Sequence, residues 1–298
     1  YPRCPVVSQD CTMWTAIAEH ITQATGQPFT IRDRRGVGGG GINQAYQVID
    51  SDRSYFLKIN RAVQIAMFEA EALGLKEIAD TDTIRVPCPI CWGTADGSAY
   101  IVLDWLDFGG SNGNAWYRMG QDLAAMHRVT SDRGFGWRQD NTIGDTPQKN
   151  PWTPDWLTFY REHRLQYQFR LAQRRGGQFP RASELLAALP ALLPGHDPAP
   201  SLVHGDLWSG NASVTRAGEP VILDPATYYG DREVDIAMTE LFGGFPARFY
   251  EGYNAAYPLD AGYGRRKILY NLYHIINHFN LFGGGYGSQA NRMIDQLL

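Results

Sequence analysis

The spacing of apolar residues changes about a third of the way along the chain. Residues 14–25 put Trp14, Ile17, Ala18 and Ile21 on one side of a 3.6-residue period, which predicts an amphipathic helix. In FTIRDRRGVGGGGINQAYQVID, short β-type runs flank a glycine cluster, Gly36 and Gly38 to Gly41. SYFLKIN reads as a strand ending near Lys58. From Ala66 to Asp80, Phe68, Ala72, Leu75 and Ile78 recur at helical intervals. AYIVLDWLD, Ala99 to Asp107, reads as a buried strand that runs out into polar sequence.

Beyond Gly109 to Asn114 the period is mostly helical. AWYRMGQDLAAMHRV and DWLTFYREHRLQYQFRLAQRR are long helix patterns, and SELLAALPALL is a third, interrupted by Pro190. SLVHGDLWSGNASVTRAGEPVILDPATYYGD holds two short strands around a turn at Gly218. EVDIAMTELF, RFYEGYNAAY and RRKILYNLYHIINHFNLF are helical again. The expected fold is α+β: a small β-rich lobe over residues 13–108 and a larger α-helical lobe over residues 109–298. Residues 1–12 are expected to be an extension ahead of the folded part. Repeats and low-complexity tracts are absent from the sequence.

Composition narrows the class without deciding it. With 298 residues, 44% hydrophobic and 19% charged, the chain has material for two packed lobes. A net charge of −4 gives no general attraction to nucleic acid or membranes, and no apolar run is long enough to span a bilayer. No secretory leader is evident, so a cytoplasmic protein is expected. Of the four cysteines, Cys88 and Cys91 form CPIC. That spacing could serve half a zinc site, but no second Cys/His pair accompanies it, and two small apolar residues are the plainer reading.

The candidate chemistry lies in a series of motifs. The glycine cluster, Gly38, Gly39, Gly40 and Gly41 above all, sits between strands and ahead of a strand lysine. This is the setting of a kinase phosphate cover, or of a flexible hairpin. Lys58 behind such a cover needs a carboxylate. Glu71 heads the apolar face of the next helix and is preferred, with Glu69 as the alternative. At the end of the AYIVLDWLD strand, the backbone C=O of Asp104 and N–H of Leu106 are where a two-lobed kinase pairs with adenine. HGDLWSGN contributes His204, Asp206 and Asn211 in the pattern H-x-D-x-x-x-x-N. Phosphoryl transfer needs a carboxylate to take the attacking hydroxyl's proton, and hard oxygen ligands for Mg²⁺. Asp206 suits the first need and Asn211 the second, with His204 bracing the loop. Asp224, eighteen residues after Asp206 at the end of VILD, suits the aspartate that bridges Mg²⁺ to the phosphates. Each residue alone could be an ordinary turn residue. Their joint order is the one the mechanism requires.

HGDLWSGN together with LDPATYYGDREVDIAM resembles the fructosamine kinase (ketosamine 3-kinase) family. That family belongs to the wider aminoglycoside-phosphotransferase-like, protein-kinase-like group. GGGGINQAYQV, FLKIN, MFEAEALGLKEI, DNTIGDTPQKNPW and LYHIINHFNLFGGGY extend the resemblance over residues 14–298. It implies a protein-kinase-like two-lobed fold and ATP-dependent, Mg²⁺-assisted phosphorylation of a ketosamine sugar, commonly at the 3-hydroxyl. The product is unstable and releases the amine, which deglycates small amines and protein lysines. Carried over by position, Asp206 is the base, Asn211 and Asp224 hold Mg²⁺, and Lys58 and Glu71 orient the nucleotide. Trp208 would stack on the sugar and His278 would line the same pocket, although both residue types also suit a core. Asp235 would brace the catalytic loop. The implied partners are ketosamines and glycated lysines, with no nucleic acid and no membrane, and the chain is expected to be a monomer. Some relatives carry a cysteine in the glycine loop, and Gly36 to Asn43 has none, so no disulfide-linked dimer is expected there. An aminoglycoside- or choline-type kinase and a nucleotide-binding pseudokinase are the competing readings.

Overall fold

Alternation along Phe56-Leu57-Lys58-Ile59 assigns opposite faces of a sheet to Leu57 and Ile59 on one side and Lys58 on the other. A computed structural model describes residues 9–38, 42–110 and 113–298, in two compact units. The first takes in the chain up to Lys76 together with Pro87–Asp107. Its sheet orders the strands β1 (Asp33–Gly36), β2 (Gln44–Ile49), β3 (Ser54–Arg61), β5 (Ser98–Asp104) and β4 (Pro89–Ala95), antiparallel throughout. Helix α1 (Gln9–Thr25) sends Ile17 and Ile21 into a core with Val48, Leu57, Ile59, Cys91, Tyr100 and Val102. Helix α2 (Ile65–Ala79) follows β3 and buries Phe68, Ala72, Leu75 and Ile78 completely, as its period predicts.

Three boundaries differ from the sequence expectation. Helix α1 starts at Gln9, so residues 9–12 are helical and not part of an extension, while residues 1–8 lie outside the described residues. Strand β3 continues past Lys58 because Asn60 and Arg61, polar and unremarkable in pattern, still pair with Ala99 and Ser98. Residues 77–86 belong to the second unit, not to the β-rich lobe. The Glu77 carboxylate accounts for this, accepting from Trp137 Nε1 at 2.7 Å and from the Tyr229 hydroxyl at 2.9 Å. Arg85 adds an ion pair to Glu219.

The second unit is mostly helical. Its helices are α3 (Gly113–Met126), α4 (Trp156–Tyr160), α5 (Gln166–Arg174), α6 (Ala182–Leu192), α7 (Glu233–Leu241), α8 (Ala247–Ala256), α9 (Tyr263–Phe282) and α10 (Tyr286–Leu297). One π-helical turn, Arg161–Leu165, links α4 to α5. Helix α6 runs through Pro190, which the sequence reading treats as a break. The proline sits in the last turn, where only one intrahelical bond is lost. Helix α9 is the axis of the unit: it packs on α5, α7 and α10 and buries Leu269, Tyr270, Leu272, Tyr273, Ile275 and Ile276. Three two-stranded ribbons lie among the helices. They pair β6 (Asn141–Ile143) with β7 (Thr146–Gln148), β8 (Ser201–Val203) with β11 (Tyr228–Gly230), and β9 (Ala212–Val214) with β10 (Pro220–Ile222). Helix α10 and the β6–β7 hairpin have no counterpart among the elements expected from the sequence.

Candidate active site

In the first unit, Lys58 points away from the core shared by Leu57 and Ile59, toward α2. Its Nζ lies 2.8 Å from Glu71 Oε1, and both side chains are about nine-tenths buried. Glu69 is exposed, so the helix offers Glu71 to the lysine, as its apolar face predicts. The end of β5 is pinned at two points. Asp104 N–H donates to Cys88 C=O at 2.9 Å, and Cys88 N–H donates to the Asp104 carboxylate at 2.6 Å. Leu106 is buried just beyond it. Gly38 is exposed, and Gly39, Gly40 and Gly41 lie outside the described residues. Cys91 belongs to the hydrophobic core, where burial pushes its thiol up to about 12, and Cys88 is exposed. CPIC thus divides between core and surface.

The second unit holds the HGDLWSGN loop between β8 and β9. Gly205 adopts φ +82°, and a Cβ there would collide with the Ala226 carbonyl, so this position requires glycine. Asp235 fastens the loop from α7: its Oδ2 accepts from His204 N–H at 2.7 Å and its Oδ1 from Gly205 N–H at 2.8 Å. Burial works to raise the Asp235 pKa. Hydrogen bonding to His127 and the nearby histidines outweigh it and hold the group below the usual carboxylate range. His204 Nε2 donates to the Leu223 carbonyl at 2.7 Å, and Leu223 N–H donates to Asn211 C=O at 2.8 Å. These two bonds tie the loop to the end of β10, where Asp224 sits at φ +52°.

The acidic groups converge there. Asn211 Nδ2 donates to the Asp206 carbonyl at 2.8 Å and lies 3.3 Å from its Oδ2, which turns the amide nitrogen toward Asp206 and leaves Oδ1 as the asparagine's acceptor. Burial, and after it the charges of Asp224 and Asp235, push the Asp206 carboxyl up to about 7. The site thus concentrates negative charge around hard oxygen donors, Asn211 Oδ1 and the Asp224 carboxylate. This is the donor set that suits Mg²⁺.

Trp208 is 37% exposed, and its ring lies over Gly210, where a Cβ would strike it. His278 Nδ1 donates to the His274 carbonyl at 2.8 Å, which makes Nε2 the acceptor nitrogen. Burial holds His278 below its ordinary pKa. Among the described residues no ring contact joins Trp208 to His278. Phe242 lies between their segments, its carbonyl accepting from Ser209 Oγ at 3.4 Å and its ring 4.8 Å from that of His278.

Several positioning residues escape a reading of the sequence. Gln148 Nε2 donates to the Ala226 carbonyl at 3.1 Å and to Asn141 Oδ1 at 2.9 Å, and Asn141 Nδ2 donates to the Thr227 carbonyl at 2.8 Å. The β6–β7 hairpin therefore holds the segment that follows Asp224. The sequence signal is IGDTPQ, within the DNTIGDTPQKNPW stretch that carries the family resemblance. His127 lies in the AWYRMGQDLAAMHRV helix pattern, whose period gives it no role. Elsewhere, His196, Glu233 and Asp260 have the spacing of metal ligands. Arg266 donates to Glu233 at 2.7 and 2.8 Å and to Asp260 at 2.7 Å, and His196 Nε2 lies 2.6 Å from Asp231 Oδ2, so the three sit in ion-pair networks.

A family model described as fructosamine kinase matches residues 13–298. The chain belongs to the fructosamine kinase family. It is 59% identical over 285 residues to a probable ketoamine kinase of Synechocystis sp., covering 96% of this chain and 97% of the relative. It is 46% identical over 267 residues to a chloroplastic protein-ribulosamine 3-kinase of Arabidopsis thaliana, covering 88% and 81%. A solved putative fructosamine-3-kinase from Haemophilus somnus superposes with a TM-score of 0.91 at 30% identity, over 96% of this chain and 98% of that one. The fructosamine kinase family and its α+β, protein-kinase-like fold are those that HGDLWSGN and LDPATYYGDREVDIAM imply.

Proposed function

We propose that this fructosamine kinase family member transfers the γ-phosphoryl group of ATP to the sugar of a ketosamine, at the 3-hydroxyl, with Asp206 as general base. The observation that carries the reading is the joining of Asp206, Asn211 and Asp224 by the bonds through Leu223 and the asparagine amide. In the reaction the substrate hydroxyl oxygen forms a bond to the γ-phosphorus. The bond to the β–γ bridging oxygen breaks and ADP leaves, while the hydroxyl proton passes to the Asp206 carboxylate. Asn211 Oδ1 and the Asp224 carboxylate would hold Mg²⁺, which when bound neutralises phosphate charge. Lys58, held by Glu71, would contact the nucleotide phosphates, and the pinned backbone at Asp104 and Leu106 would pair with adenine. The exposed face of Trp208 suits stacking on a sugar ring, and His278 Nε2 suits accepting from a hydroxyl.

The family and the names of the relatives support ketosamines as the substrate class, and so deglycation of amines and protein lysines as the outcome. The intact acidic set gives a pseudokinase no support. Among the described residues no helix is long and apolar enough to cross a membrane. A cytoplasmic setting and a monomer remain part of the proposal. The test is ADP release across fructosyl- and ribulosyl-amines, with an aminoglycoside and choline as controls. Wild type should turn over the ketosamines alone. Asp206→Asn should lose turnover by about a thousandfold or more while still binding ATP, since general-base loss removes the proton acceptor and leaves the nucleotide contacts. ADP release near the wild-type rate in that variant would sink the assignment of Asp206.

A further inference from the structure

Helices α3 and α8 cross unusually closely. A Cβ at Gly120 would collide with the Phe249 carbonyl, and one at Gly252 with the Tyr117 carbonyl. The crossing brings His127, one residue beyond α3, against Tyr253 of α8. Their side chains are 0% and 1% exposed, and Tyr253 OH lies 2.7 Å from His127 Nδ1. The other ring nitrogen, Nε2, lies 3.0 Å from Asp235 Oδ2, the atom that also receives His204 N–H. On the far side, Arg232 Nη1 donates to the Tyr253 oxygen at 3.0 Å and to the Tyr257 carbonyl at 2.9 Å. Its Nη2 donates to the Pro258 carbonyl at 2.8 Å.

With a single hydrogen on the His127 ring, donor and acceptor rules leave one consistent arrangement. Asp235 is ionised and only accepts, so His127 Nε2 carries the hydrogen. Arg232 only donates, so the Tyr253 oxygen accepts from it and the phenol hydrogen turns to His127 Nδ1. Burial raises the Tyr253 phenol above its ordinary pKa and keeps that hydrogen in place. We propose that Tyr253, backed by Arg232, is a positioning residue for phosphoryl transfer: it fixes the tautomer and tilt of His127, and through Asp235 the backbone that presents Asp206. Arg232 begins the turn into α7, three residues ahead of Asp235, so the chain of bonds returns to the element it braces. The buried part of the loop's support therefore extends through His127 to α8.

The inference rests on Asp206 being the base, and wild-type turnover together with a silent Asp206→Asn variant stands for that reading. Against this background Tyr253→Phe, which keeps the ring and its packing, should lower kcat by about ten- to a hundredfold, the scale of a small misplacement of a catalytic group. KM for ATP and for fructosyl-lysine should stay within about twofold. His127→Gln keeps a donor toward Asp235 but has no second ring nitrogen, so adding Tyr253→Phe to it should change kcat no further. Loss of kcat in Tyr253→Phe that is absent from the His127→Gln background supports the relay. A kcat within twofold of wild type in Tyr253→Phe overturns it. So do additive effects in the double variant, or a parallel rise of both KM values.

Discussion

At the residue scale, the carboxyl of Asp206 carries two consequences from one cause. Burial and the neighbouring charges of Asp224 and Asp235 raise it to about 7, and a general base must be ionised to act. In the enzyme without nucleotide, kcat/KM is therefore expected to rise with pH through about 7 and level off above, measured under kcat/KM conditions across pH 5.5 to 9. Stability follows the opposite sign. A carboxyl whose folded pKa lies above its unfolded value favours the fold only while protonated, and that contribution is lost as pH climbs from about 4 to about 7. Asp206→Asn removes the titration. Its melting temperature should exceed that of wild type by several degrees at pH 8, with a smaller gain at pH 5. An equal gain at both pH values would show that charge burial at Asp206 is not the cause. The sequence marks Asp206, Asn211, Asp224, Lys58 and Glu71 as candidates because each sits in a spaced motif or on a legible face. It did not expose His127 or Tyr253, whose roles depend on a crossing of helices more than a hundred residues apart.

At the element scale, strand ends and one hairpin do the positioning. The β6–β7 hairpin reaches the Asp224 segment through Gln148 and Asn141, both buried, and Tyr273 of α9 donates to Gln148 Oε1 at 2.7 Å. Gln148→Ala would leave the Ala226 carbonyl and the Tyr273 hydroxyl buried without these partners. It should cost about 2–6 kcal/mol, at about 1–3 kcal/mol for each of the two orphaned groups. Chemical denaturation would measure this, and a loss below 0.5 kcal/mol would contradict the role given to the hairpin. Elements with a long apolar period, α2 and α9 among them, were plain in the sequence. The hairpin was not, because three-residue strands carry too little alternation to read. Pro190 misled for a related reason: a proline's effect depends on where the helix ends, and that boundary is not written in the local pattern.

At the scale of the whole molecule, the chain passes from the first unit to the second between Asp107 and Phe108, and residues 77–86 also fall in the second unit. Glu77 and Arg85 join the second unit through partners 60 to 152 positions away, a pairing that no local pattern encodes. Binding of nucleotide should register in the stability of the entire chain. ATP at about a hundred times its Kd contributes about 2.7 kcal/mol, a rise of several degrees in Tm. That rise should need Mg²⁺ and should be absent in Asp224→Asn, as differential scanning fluorimetry would show. An undiminished shift in the variant would remove Asp224 from the metal site. Asparagine is the replacement of choice because of the backbone at this position. Its φ of +52° lies where asparagine, aspartate and glycine rest with little strain and most other side chains do not. The site thus admits a narrow substitution alphabet. An exchange within it tests the carboxylate alone, whereas alanine would also strain the turn that carries it.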